Sequence, residues 1–534
     1  MNKRTLALCF GLCLISHLYR INQACNANKP NVVFLMADDH QAMAMGCMGN
    51  AEIETPNLDE LAARGILFER CYATSPLCMA SRATVMSGMY EYKTGCNFLT
   101  GDLSSEVWKN QSYPVLLKQA GYRTAFAGKW GFSISDPESA GKSVYDASRD
   151  FDHWGALQGG QGYYATGKNP NMVNYAKRYP HVTRALGAFG RDFIKESAGL
   201  DQPFCLSLSF KAPHKPHNEI DPQDQKHYAS VTFAKPPGFD QEGLSLLPVQ
   251  AKTGRQFVQR SEWDKEHYQD HLKAYYQLIS GVDSAVGMVV DALKERGVAN
   301  NTVIIYTADN GYFCGAHGLQ GKVLPYEHAS RIPLIIFDPR TSNGSRGVTT
   351  KAIIGNIDFA PTMLDLAGVP IPAQMDGKSL VPIVRNPNRR VRSELGIVQN
   401  WDWANRDLPK ALSVVSEDWK YILWCYADEA TPVAEELFDL SGDPSELNNV
   451  AANPEKRETL ETMRNNYDAF HKHWVNNCVN VPSYQRFEQI FDRKIPWQEK
   501  NFRTFNPQFR ASQQQRLEEI YEDLTGAKYP KRQR

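Results

Sequence analysis

Three short apolar runs rich in β-branched and aromatic residues, Asn31 to Ala37, Phe204 to Phe210 and Thr302 to Ala308, most constrain what this 534-residue chain can fold into. Such runs, apolar at nearly every position, mark strands covered on both faces, as in parallel sheets flanked by helices. Each ends abruptly in polar residues: Asp38-Asp39-His40 after the first, Lys211-Ala212-Pro213-His214 after the second and Asp309-Asn310-Gly311 after the third. In an open α/β sheet the carboxyl ends of parallel strands line one edge, and ligands bind there. The three polar clusters, far apart in sequence, are therefore expected to converge.

Helical patterns separate the runs. Leu58 to Ala63 follows Thr55-Pro56, Val115 to Ala120 follows Tyr113-Pro114, and Glu266 to Arg296 and Phe359 to Ala367 carry the same periodicity. The alternation predicts an α/β fold, a large doubly wound mixed or parallel sheet. Beyond about Asp376 the character shifts: Val414 to Cys425 and Glu435 to Leu440 read as strands separated by turns, and Glu455 to Trp474 as a helix after Asn453-Pro454. A smaller C-terminal α+β domain is expected. The division is then a leader at 1–27, the α/β domain at 28–380, the α+β domain at 381–482 and a polar, aromatic tail at 483–534 that packs back over the first domain. No internal repeat is visible.

With 42% hydrophobic residues, the chain carries ample material for a large core. Lys plus Arg balances Asp plus Glu at 59 each, which argues against a nucleic-acid binder or an acidic scaffold and makes any anion site a local one. Lys3 and Arg4, the apolar run Leu6 to Leu18 and the small residues around Ala24 to Ala27 have the layout of a secretory signal peptide, so an exported protein, periplasmic or extracellular, is expected. Cleavage after Ala24 would expose Cys25 to lipidation, although Asn22 sits where lipoprotein signals carry an aliphatic residue; cleavage after Ala27 fits equally well. No stretch is long enough to span a membrane. Cys9 and Cys13 leave with the leader, and the other cysteines show no spacing of a disulfide framework or a thiolate metal site, which leaves room for one or two bridges. Sequons at Asn110, Asn300 and Asn343 matter only in a glycosylating host.

Asp38, Asp39, Asp309 and Asn310 offer hard oxygen ligands, three of them anionic, which suits Ca²⁺ or Mg²⁺ rather than zinc or copper. Either cluster alone also fits a helix cap or a solvated turn. Adjacent carboxylates need a cation to stay ionised together in a closed site. Arg82, Lys129 and Lys322 would supply positive charge for a tetrahedral anion, and His214 a proton. In Leu77-Cys78-Met79-Ala80-Ser81-Arg82 a cysteine and an arginine stand four apart where a loop runs into a helix; alone, Cys78 also fits a buried core cysteine.

Taken in order, these segments resemble the type I sulfatases, formylglycine-dependent enzymes of the alkaline-phosphatase-like superfold, and among them the bacterial secreted carbohydrate sulfatases. Cys78 to Arg82 is similar to the family's Cys-x-Pro/Ala-x-Arg signature, Asn31 to Asp39 to its opening strand, and Thr55 to Asp59 to its Thr-Pro-Asn-Leu-Asp helix start. Thr307 to Gly311 resembles the second metal cluster, and His317 to Glu327 with Arg331-Ile332-Pro333 the segment that follows it. Leu437-Phe438-Asp439-Leu440 and Asp443-Pro444-Ser445-Glu446 resemble the usual end of the smaller domain.

The resemblance implies that a maturation enzyme converts Cys78 to formylglycine, whose hydrate joins Asp38, Asp39, Asp309 and Asn310 around Ca²⁺ and attacks sulfur. Lys129 and Lys322 would hold the sulfate oxygens, Arg82 would orient the hydrate, and His214 would protonate the departing sugar oxygen. The second hydroxyl would then expel sulfate. One departure stands out: the family's Gly-Lys-Trp-His reads Gly128-Lys129-Trp130-Gly131 here. His40, His217 and His317 are the candidate substitutes for the missing base. Two alternatives stay open, a phosphonate or phosphate-ester hydrolase of the same superfold and a catalytically impaired glycan-binding homologue.

The expected substrate is a sulfated glycan of polysaccharide origin. Trp401, Trp403 and Arg406, in the stretch Asn400 to Arg406, are candidate sugar contacts, as are His217 and His317. Trp154, Tyr163 and Tyr164 offer similar platforms, with core packing as the other role open to these aromatics.

Overall fold

The computed structural model describes residues 29–98, 101–136, 144–157, 162–341, 346–401, 410–426 and 433–500. An eight-stranded sheet forms its centre. In chain order its strands are β1 (Asn31–Asp38), β2 (Ile66–Phe68), β3 (Arg123–Gly128), β4 (His153–Ala156), β5 (Phe204–Pro213), β6 (Thr302–Ala308), β7 (Leu334–Phe337) and β8 (Val348–Thr350). They lie in the order β8-β2-β7-β6-β1-β5-β3-β4. Only β7 runs antiparallel to its neighbours. The three apolar runs are β1, β5 and β6, adjacent at the middle of the sheet and buried at every position. Central strands need apolar side chains on both faces because helices cover both.

The expected helices form with small changes at their ends. Helix α1 (Pro56–Arg64) starts behind Thr55 with proline at its first position, and α2 (Cys78–Ser87) is buried along its whole length. Helices α3 (Val182–Ser197) and α4 (Tyr268–Glu295) pack on each other and on β5, whereas α5 (Phe359–Leu366) packs with α2 and with Tyr113–Gln119. Phe34 of β1 meets both Tyr113 and Phe359.

A four-stranded antiparallel sheet follows: β9 (Glu394–Gln399), β10 (Ala411–Ser416), β11 (Trp419–Trp424) and β12 (Ala434–Asp439). The stretch Val414 to Cys425, expected as one strand, is split by a turn into β10 and β11, which pair with each other. Helix α6 (Arg457–Asn477) covers this sheet and buries Tyr467 and Trp474. In the described part of the tail, which reaches residue 500, the helix Pro482–Ile490 packs Tyr484 and Phe487 on Trp474, and Tyr484 also reaches back to Glu91 of the α/β domain. The described cysteines are unbridged thiols, and no helix among the described residues is long and apolar enough to cross a membrane.

Candidate active site

Parallel pairing decides where the polar clusters go. Ala37 pairs with Ala308, Asp38 with Pro213 and Gly128 with Ser209. Asp38 and Asp39, Asp309 and Asn310, His214 and Lys129 therefore leave the sheet at one edge. Gly128 is required there: its φ is 105°, and a Cβ would lie 1.9 Å from the Ser209 carbonyl oxygen, which accepts the Lys129 amide at 2.8 Å.

Asp38, Asp39 and Asp309 are at most 2% exposed, and each brings a carboxylate oxygen within 4.8 Å of the others. Three cations answer them: Lys129 pairs with Asp38, Lys322 with Asp39, and Arg82 Nε donates to Asp309 Oδ2 at 2.8 Å. Arg82, wholly buried on α2, is fixed further by donating Nη1 to the Lys129 carbonyl at 2.7 Å and to Ser209 Oγ at 2.5 Å. Asn310 donates its amide to Asp39 Oδ1 at 2.6 Å and to the Gly311 carbonyl at 2.8 Å, while its buried Oδ1 has no partner among the described residues. Three carboxylates beside an unpaired amide oxygen form a donor set for a hard divalent cation. Burial alone would raise the Asp38 carboxyl, but Lys129, His214, Lys322 and Arg82 outweigh it and hold it well below the usual range. Burial and the Asp38 charge push Asp309 up. A cation shared by both would relieve that conflict.

Cys78, the first residue of α2, donates Sγ to Asp38 Oδ1 at 3.4 Å and lies 2.6 Å from Lys322 Nζ. Burial and the Asp38 charge push its thiol up to about 12, so unmodified it stays protonated and is a weak nucleophile. The His214 ring is within 4.8 Å of Cys78 Sγ and the Asp38 carboxylate. Its Nδ1 donates to the Lys215 carbonyl at 2.7 Å, which leaves Nε2, 3.8 Å from Asp39 Oδ2, toward the cluster. Tyr163 holds this loop through a 2.5 Å hydrogen bond from its hydroxyl to the His214 carbonyl.

A cleft opens over the cluster. Asp39, His214 and Lys322 line it together with Leu77, Val323 and Trp401, which form an apolar group with Ala80, and with Arg255, Gln256, Gln259, Gln320 and Tyr312. Of the candidate sugar contacts, Trp401 lies on this cleft. His217 stands just behind it, its ring among Trp263, His271, Tyr275 and Tyr312, and burial together with His271 lowers it to about 3. His317 is elsewhere: fully buried against Tyr326 and His328, it does not line the cleft, because the turn that presents Lys322 sends His317 into the core beneath. Trp403 and Arg406 lie outside the described residues. Trp154 packs among Phe126, Trp130 and Phe151, and Tyr164 hydrogen-bonds the Ile220 carbonyl away from the cleft.

Among the proposed substitutes for the missing histidine, His40 is tied to Tyr306 Oη at 2.7 Å and the Ala44 carbonyl at 3.0 Å, and His317 is in the core. Gly131 has φ 88°, and a Cβ there would lie 2.5 Å from Arg82 Cδ. A histidine grafted onto this backbone would strike the buried arginine, so Gly131 is a built feature of the loop and simple reinstatement of the family residue is excluded.

The cleft-lining Arg255, Gln256, Gln259, Gln320 and Tyr312 were given no role by the motifs, and Tyr163, expected as a sugar platform, instead supports the His214 loop. Arg255–Val258 is a single helical turn, too short for periodicity to reveal a face.

The sulfatase family model matches residues 30–369. The chain is a member of the sulfatase family. A model described as N-sulphoglucosamine sulphohydrolase, C-terminal, matches residues 315–473 of this sulfatase. It is 29% identical over 518 residues to the N-acetylglucosamine-6-O-sulfatase of Bacteroides thetaiotaomicron, covering 84% of this chain and 87% of the relative. It is 26% identical over 477 residues to the ulvan-active sulfatase of Formosa agariphila, covering 87% and 85%. A solved structure of a protein in complex with its substrate D-glucosamine-2-N,6-O-disulfate superposes with TM-score 0.68 at 26% identity, covering 85% of this chain and 99% of that one. The sulfatase is a sulfuric ester hydrolase with the α/β architecture expected from its strand pattern.

Proposed function

We propose that this sulfatase removes a sulfate ester from a sulfated carbohydrate, with a 6-O-sulfated glucosamine unit as the first substrate to try, using formylglycine made from Cys78 and Ca²⁺ held by Asp38, Asp39, Asp309 and Asn310. One observation carries this reading: beneath an open cleft, the buried carboxylate of Asp38 is shared between a cluster with Asp39 and Asp309 and a cluster with Cys78 Sγ and His214, and the neighbouring Asn310 leaves its Oδ1 unpaired among the described residues. The relatives that act on N-acetylglucosamine 6-O-sulfate and on ulvan support a carbohydrate substrate. When bound, the cation supplies Lewis-acid polarisation of the sulfate oxygens, and the matured residue supplies the hydroxyl nucleophile.

The rest belongs to the chain's own side chains. Lys129 and Lys322 bring ammonium groups to the point where sulfate oxygens gather charge. Arg82 positions Asp309 and the Lys129 carbonyl. His214 Nε2 delivers a proton to the departing sugar oxygen, and Tyr163 keeps its loop in place. Trp401, Leu77 and Val323 give the sugar an apolar wall. Export through the 1–27 leader, with Cys25 as an alternative lipid anchor, and maturation by a formylglycine-generating enzyme complete the proposal.

The test is free sulfate released from a panel of algal and animal sulfated oligosaccharides with Ca²⁺ present, the aldehyde confirmed by peptide mass. Sulfate from one substrate, abolished by Cys78→Ala, is the expected result. Bound metal and a mature aldehyde with no sulfate from any sugar would overturn hydrolysis in favour of glycan binding. Release from phosphonate esters alone would reassign the substrate class.

A further inference from the structure

Besides Trp401, the cleft is lined by a hydrogen-bonded relay outside the carboxylate cluster. Arg255 Nε donates to Gln259 Oε1 at 2.8 Å, Gln320 Nε2 donates to the same oxygen at 2.9 Å, and Tyr312 Oη donates to Gln320 Oε1 at 2.7 Å. The direction of the chain is forced. A guanidinium only donates, so Gln259 must turn its oxygen to Arg255; Gln320 must then meet that oxygen with its amide nitrogen and leave its own oxygen to the tyrosine. Both amide oxygens are consumed inside the wall. What remains for the cleft is donors: Arg255 Nη1 and Nη2 and the Gln259 amide, none of which has a partner among the described residues. Arg255 also has no carboxylate partner there.

An arginine with no counter-ion among the described residues, clamped by its Nε on the wall of a substrate cleft, is poised for an anion, and its planar fork suits a carboxylate or a sulfate. We infer that Arg255, oriented by Gln259 and Gln320, is a specificity-determining residue that binds a second anionic substituent, a carboxylate or a second sulfate, on the sugar whose sulfate ester is cleaved. The inference rests on the sulfatase reading above and extends it to substrates carrying at least two negative charges. Lys322 and Arg255 would then each take one anionic group, while the apolar wall at Trp401 takes a face of the ring.

The experiment measures kcat/KM for sulfate release by the matured, calcium-loaded full chain on matched pairs. One pair is glucosamine 6-O-sulfate with N-sulfate against the N-acetyl analogue; the other is a sulfated uronic acid against the corresponding sulfated neutral hexose. The expected result is a preference for the doubly anionic member of one pair, with that preference falling roughly 10- to 100-fold in Arg255→Gln, mainly through KM, and partly recovered in Arg255→Lys. The first pair identifies a sulfate and the second a carboxylate. Equal losses on both members of each pair, or no preference in the wild type, would overturn the proposal. Binding of the same sugars to the Cys78→Ala chain reads the same discrimination without turnover, so failure of hydrolysis and failure of the Arg255 assignment are told apart.

Discussion

Two of the buried charge clusters among the described residues differ in what surrounds them. At the active site Asp38, Asp39 and Asp309 face Arg82, Lys129 and Lys322. At the joint between the two sheets Glu327 and Glu446 flank Lys420, with Glu436 in reach of the Glu446 charge and Arg331 3.3 Å from Glu327. Lys420, fully buried on β11, lies 2.7 Å from Glu327 and 2.9 Å from Glu446 and donates to the Pro325 carbonyl at 3.0 Å. Glu436 accepts from Tyr326 Oη at 2.8 Å and Trp424 Nε1 at 2.7 Å. Burial and neighbouring charge shift Asp38 and Asp309 in the first, and Glu327, Glu436 and Glu446 in the second, away from ordinary carboxyl values. Of the two clusters, only the first lines the cleft. Buried charge with perturbed protonation thus marks a structural joint as readily as a site of chemistry; access from a cleft tells them apart.

The sharpest way to break this contrast is Lys420→Met. It leaves Glu327 and Glu446 buried without their cation and should cost about 3–5 kcal/mol in urea unfolding, while the sulfatase that remains folded keeps its KM. A large KM change would mean that the joint takes part in the site. Lys322→Ala should do the reverse: kcat falls about 10²–10³-fold, equivalent to ~3–4 kcal/mol, and the urea midpoint in Ca²⁺ moves far less.

A third probe uses pH. Burial pushes Glu436 up to about 7 from an ordinary value of 4.5, against the hydrogen bonds from Trp424 and Tyr326. A carboxyl raised in the folded state contributes stability fully present below its unfolded value and lost as pH rises through its folded value. Glu436 therefore withdraws on the order of 3 kcal/mol of stability between about pH 4.5 and pH 7. In Glu436→Gln the fall in thermal midpoint over this window should flatten; an unchanged slope would show that the group does not titrate there. The smallest effect is expected at Gly131, where Gly131→Ala should cost about 1–3 kcal/mol through its positive φ and the Arg82 contact. Gly131→His should cost at least as much and give no gain in turnover; faster sulfate release would show that the loop can yield around Arg82.

The fold was legible in the residues because central parallel strands must be apolar on both faces, and β1, β5 and β6 announce themselves by that requirement. The acidic residues and the histidine that meet at the candidate site were legible because they follow those strands directly. Asp38, Asp309 and His214 need no long-range information beyond the rule that parallel strands end at one edge. His317 was misplaced for the same reason that Lys322 was found: both belong to one short segment, and neighbours in a tight turn face different directions, which a motif does not record. Val414 to Cys425 concealed a hairpin because Glu417-Asp418, between the two strands, is too short to interrupt the apolar pattern strongly.

The sequence by itself determined the order of the strands' chemistry, the pairing of Cys78 with Arg82 and the hard oxygen donors, because each is carried by adjacent residues whose local geometry is nearly obligatory. Tertiary structure alone decided that Gly131 lies against Arg82, that Asn310 Oδ1 is left unpaired, and that Arg255, Gln259, Gln320 and Tyr312 make one wall of the cleft. Those facts depend on which distant segments touch, and side-chain contacts between segments leave no period or spacing in the chain that makes them.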